Sequence, residues 1–110
     1  MNVKLSADAV RVRVMRAELD TLLSSRAITL EVALPRNHLF RVNVRPAVVG
    51  AWSLESDPTG LWITIPRSEL EALSSSLPSR DGLQHAFELA NGGSVQVGFE
   101  VDLKDRGEGE

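Results

Sequence analysis

The chain has 110 residues, 43% hydrophobic and 25% charged, with a net charge of −3, which is about one domain of ordinary globular composition. The absence of cysteine excludes disulfides, thiolate metal sites and a cysteine nucleophile. The acidic balance gives no pull toward nucleic acid, and no apolar run approaches the roughly 20 residues that span a bilayer.

Met1-Asn2-Val3-Lys4-Leu5 lacks the apolar stretch of a signal peptide, so a cytoplasmic location is expected. Val3 to Leu5 reads as a short strand and Ser6-Ala7-Asp8 as a turn. Val10, Val12 and Val14 alternate with Arg11 and Arg13, the period-two pattern of a second strand with one apolar and one basic face. From Arg16 the period changes: Leu19, Leu22 and Leu23 fall at helical spacing, and Ser24-Ser25 ends the helix. Ile28, Leu30, Val32 and Leu34 alternate again, Pro35-Arg36-Asn37-His38 turns, and Phe40, Val42 and Val44 return. Pro46 is expected to stop that strand, because proline donates no ladder hydrogen bond.

A strand is expected from about Val48 to Leu54, followed by the turn Asp57-Pro58-Thr59-Gly60. Leu61, Ile63 and Ile65 alternate with Trp62 and Thr64. Pro66 opens a helix striped by Leu70, Leu73 and Leu77. Leu83, His85, Phe87 and Leu89 form the next strand face. Asn91-Gly92-Gly93 turns, and Val95 to Leu103 alternate as the last strand. Residues 105–110 are charged and glycine-containing and read as a disordered tail.

Residues 10–25 align with residues 61–76. Arg16, Glu18, Leu19, Leu22, Ser24 and Ser25 match Arg67, Glu69, Leu70, Leu73, Ser75 and Ser76. Each half reads hairpin, helix, hairpin. The expected fold is therefore a single α+β domain over residues 1–104, with half-repeats of about 1–46 and 47–104. About eight antiparallel strands would form one curved sheet or small barrel, with two short helices on its apolar face.

Alternation places Arg11, Arg13, Thr29, Glu31, Arg41, Asn43, Arg45, Trp62, Thr64, Gln84, Glu88, Gln96, Glu100 and Asp102 on the opposite, polar face. Arg11, Arg13, Arg41 and Arg45 are candidates to bind an anion in bidentate fashion. Glu31 and Glu88, at equivalent places in the two halves, would neutralise them. Trp62 is a candidate contact residue, or packs on Trp52 or an arginine stem. His85 interrupts an apolar face and reads as a satisfied core histidine; His38 lies in a turn. The two histidines share no metal-ligand spacing. No Gly-x-Ser-x-Gly elbow surrounds the helix-ending serines, and Asn91-Gly92-Gly93-Ser94 lacks the lysine and helix of a phosphate loop. No catalytic residue, metal or cofactor is assigned.

Glu100-Val101-Asp102-Leu103-Lys104 puts three charges on one strand face. It resembles the Glu-x-Glu-x-Lys strand of triphosphate tunnel enzymes, although in those the acidic position lies on the opening strand. The resemblance implies a barrel that binds phosphate or nucleotide anions through arginines. Val3-Lys4-Leu5, the turn, Val10-Arg11-Val12-Arg13-Val14 and the Glu18-Leu19 helix step, with Leu61-Trp62-Ile63-Thr64-Ile65-Pro66 entering a second helix, resemble a family of small bacterial proteins of unknown function. That family favours Gly-Asn in the first turn, where this chain has Ala7-Asp8. The resemblance implies a fold and no activity. The first expectation is a non-enzymatic binding or interaction domain, with a protein partner or a homodimer through an uncovered strand edge.

Overall fold

Four hairpins and two helices make up the computed structural model, which describes residues 1–79 and 81–102. In chain order they are β1 (Asn2–Ser6), β2 (Ala9–Val14), α1 (Arg16–Leu23), β3 (Ile28–Leu34), β4 (His38–Ala47), β5 (Ser53–Asp57), β6 (Gly60–Pro66), α2 (Arg67–Ser75), β7 (Leu83–Glu88) and β8 (Ser94–Val101). The α+β class, the eight strands and the two helices agree with the sequence pattern. The single antiparallel sheet and the barrel do not. The strands form two four-stranded sheets, β1-β2-β8-β7 and β3-β4-β6-β5. Neither closes, and in each the central pair is parallel: β2 with β8, β4 with β6. Alternation reports which face a side chain takes, but not which strand lies beside it.

Each sheet joins the first hairpin of one half to the second hairpin of the other. The registers repeat. Val3 faces Val12 in β1–β2 and, 51 positions on, Leu54 faces Ile63 in β5–β6. Val32 faces Phe40 in β3–β4 and, 55 positions on, Phe87 faces Val95 in β7–β8. Across the parallel pairs Val12 faces Phe99 and Ile63 faces Val44, related by the same two offsets. The four-residue difference lies in the longer connection after α2. Glu31 therefore corresponds to Ala86, not to Glu88. Glu31 does neutralise Arg41, at 2.8 Å, whereas Glu88 faces Ser94.

The inner faces of both sheets and both helices supply one core, including Val12, Val14, Leu19, Leu22, Val44, Ile63, Ile65, Leu70, Val97 and Phe99. Each helix carries the chain from one sheet to the other. At α1 the Glu18 carboxylate accepts the Met15 backbone N–H at 2.8 Å, one of the donors a helix start leaves unsatisfied. Pro46 does not end β4. The strand runs on to Ala47 because β3 flanks β4 only as far as Val44, and beyond it β4 pairs with β6 alone. Residues 48–52, expected as strand, instead form the connection from β4 to β5. The expected tail lies outside the described residues. No helix among the described residues is long and apolar enough to cross a membrane.

Candidate functional site

Residues that alternate away from the core form one outer face on each sheet, and the two faces have different chemistry. On the first sheet Lys4, Arg11, Gly98 and Gln84 are consecutive cross-strand neighbours from β1 to β7. Asn2, Arg13 and Glu100 form the adjacent row. A cleft of about 240 Å³ lies over these rows, lined among others by Lys4, Arg11, Arg13, Asp81, Gln84 and Glu100. A further depression shares Arg11, Gln84 and Gly98 and continues to Asp8 and Gln96. Gly98 leaves the floor bare. A Cβ there would sit 3.9 Å from Arg11 Cγ and 4.0 Å from the Leu83 carbonyl oxygen, so the fold itself does not demand glycine.

The charges in the cleft are unevenly matched. Arg13 Nε donates to Glu100 Oε2 at 2.7 Å. Lys4 and Arg11 stand directly opposite each other in the β1–β2 register, and neither has an ion pair among the described residues. Like charges opposed across a strand pair repel. An arginine beside a lysine, with amides from Asn2 and Gln84 in reach of the same space, suits the oxygens of a carboxylate or phosphate.

The corresponding row of the second sheet is Glu55, Trp62, Asn43 and Thr29. Arg45, Glu55, Ser56, Asp57 and Trp62 line an open depression there. Arg45 Nε donates to Thr64 Oγ1 at 3.2 Å, and Arg41 is held by Glu31. Asp57 accepts the Thr59 hydroxyl and the Thr59 backbone N–H, each at 2.6 Å. These bonds, hydroxyl first, with a smaller backbone contribution from Gly60, hold its pKa below the ordinary value against a small opposing desolvation.

The four arginines therefore divide. Arg11 and Arg13 lie on one face, Arg41 and Arg45 on the other, and no closed interior brings them together. Trp62 is half-buried on the second face; Trp52 is buried on the core side, stacked on His85 at 5.3 Å with rings 8° from parallel. His85 also meets the edge of Phe87 at 4.7 Å. His38 is exposed, its Nε2 donating to the Pro58 carbonyl at 3.1 Å.

Sequence reasoning missed Lys4 and Gly98, and it put Gln84 on a polar face without bringing it beside Arg11. Lys4 was within reach, because a two-residue turn at Ala7-Asp8 pairs position 4 with position 11 by counting. Gly98 and the placing of Gln84 were not, because the β2–β8 pairing joins opposite ends of the chain. Comparison with protein-family models, with curated proteins and with solved structures gives no match.

Proposed function

We propose that the protein is a non-catalytic binding domain that takes an anionic group, a phosphate or carboxylate, on the outer face of its first sheet. The observation that carries this reading is the opposition of Lys4 and Arg11, without an acidic partner among the described residues, beside the bare backbone of Gly98. A cationic pair costs stability, and a bound anion would supply the counter-charge. Arg13 adds a third cation, pre-oriented by Glu100. Gln84 offers an amide from the far strand. No nucleophile–base pair is required, since the site only needs to hold charge. The barrel reading, with all four arginines around an interior, is set aside because the sheets are open.

The test is a thermal-shift and calorimetric screen against inorganic phosphate, sulfate, nucleotides and di- and tricarboxylates. A ligand at 100 times its dissociation constant adds about 2.7 kcal/mol of stability. Arg11→Ala and Lys4→Ala are expected to abolish the response, and added salt to weaken it. A wild-type protein that responds to none of these anions, or variants that respond as well as wild type, would overturn the reading.

A further inference from the structure

We infer that two copies of this chain can exchange halves, forming a dimer in which each anion cleft is completed by the partner. The topology carries this. Residues before the connection at 48–52 supply β1, β2, β3 and β4, and residues after it supply β5, β6, β7 and β8. Neither half contains a complete sheet: each contributes one hairpin to both. The contacts between halves, among them β2 on β8, β4 on β6, α1 on α2 and α2 on β4, can form equally well with the second half of another copy. Exchange leaves every such contact intact and changes only the path of the connection, the usual low-cost route to a dimer.

The connection has the character of a hinge. Val48 and Val49 are 77% and 90% exposed, and Gly50 takes φ +123°. It spans from β4 to β5, with β6 between them, a separation of about 9.6 Å at two strand spacings. The present length covers that distance with ease, so at micromolar protein the closed monomer dominates through its millimolar effective concentration. Removing residues 48–51 leaves two Cα–Cα steps from Ala47 to Ser53, at most about 7 Å, and closure then fails.

The cleft makes exchange matter for binding. Lys4, Arg11 and Arg13 come from the first half; Asp81, Gln84, Gly98 and Glu100 come from the second. In the exchanged dimer each cleft is built by two chains.

The experiment deletes residues 48–51 and measures mass by light scattering, in a chain also carrying Ala9→Cys and Gln96→Cys. These positions face each other in β2–β8, and the chain has no other cysteine. The expected result is a twofold mass, with the disulfide joining two chains on a non-reducing gel. A folded monomer, or a dimer cross-linked within each chain, overturns the inference. If the deletion variant does not fold, the cysteine pair in the full-length connection decides. Refolded reduced at millimolar concentration and then oxidised, it should give covalent dimers that are absent after micromolar refolding; their absence at both concentrations overturns the inference. A binding readout uses inorganic phosphate. Deletion chains carrying Lys4→Ala with Arg11→Ala, co-refolded with deletion chains carrying Gly98→Leu, should bind one phosphate per mixed dimer, while neither binds alone. Exchange rests on the topology, and only this last readout rests on the anion reading: covalent dimers without phosphate binding would retain the exchange and reject the anion.

Discussion

The indole N–H of Trp52 donates to Glu69 Oε2 at 3.0 Å, and its counterpart 51 positions earlier is the Met1 ammonium on Glu18 at 2.9 Å. The two acids otherwise differ in one respect. Glu18 also accepts the Met15 N–H; the equivalent Pro66 has no N–H to offer. Glu69 is thus given to holding Trp52, which closes the core where the second half begins. Glu69→Ala is expected to cost about 1.5–3 kcal/mol, the range for a hydrogen bond to a charged group. Trp52→Ala should cost about 3–5 kcal/mol through the cavity it leaves. Urea titrations of both variants check this.

Lys4→Glu should separate stability from binding. It places a carboxylate opposite Arg11 and converts a repulsive cross-strand pair into an attractive one, worth roughly 0.2–1 kcal/mol. The variant is expected to melt slightly higher than wild type and to lose the phosphate response. A lower melting temperature would count against an uncompensated cationic pair.

Two glycines should behave oppositely. At Gly60 a Cβ would collide with the Arg41 carbonyl oxygen, within the β4–β6 pair. Gly60→Ala is expected to destabilise by at least about 2 kcal/mol. Gly98→Ala meets only ordinary contacts; it should leave the melting temperature within a few degrees of wild type while weakening phosphate binding by narrowing the cleft floor.

Asp57 gives a pH signature. Its folded pKa lies below the unfolded value because Thr59 donates to the carboxylate. The group therefore contributes stability that is fully present above the unfolded carboxylate pKa and is lost as pH falls through the lower folded pKa. Asp57→Ala should be less stable than wild type at neutral pH, and the difference should shrink as the solution is taken through and below the carboxylate range. Melts across that range test it.

The two halves should unfold together. Leu22 in α1 and Leu73 in α2 are both buried in the shared core. Each truncation to Ala is expected to cost about 2–5 kcal/mol and to shift a single transition rather than split it, since neither half retains a whole sheet. Coincident fluorescence and circular-dichroism curves are the check.

What the sequence by itself determined was local. The alternation of Val10, Val12 and Val14 against Arg11 and Arg13 set the faces of a strand, because side chains on a pleated backbone alternate with period two. The spacing of Leu19 and Leu22, and of Leu70 and Leu73, set two helices and their buried sides. The short turns set the hairpin registers, and with them the opposition of Lys4 to Arg11. Only the tertiary structure decided which hairpins lie side by side. Val12 meets Phe99 and Val44 meets Ile63 through parallel pairs that no turn specifies; those registers are selected by packing of the shared core. That choice sent Arg41 and Arg45 to a different face from Arg11 and Arg13. It also brought Gly98 under the cation pair, which made a cleft out of residues from opposite ends of the chain.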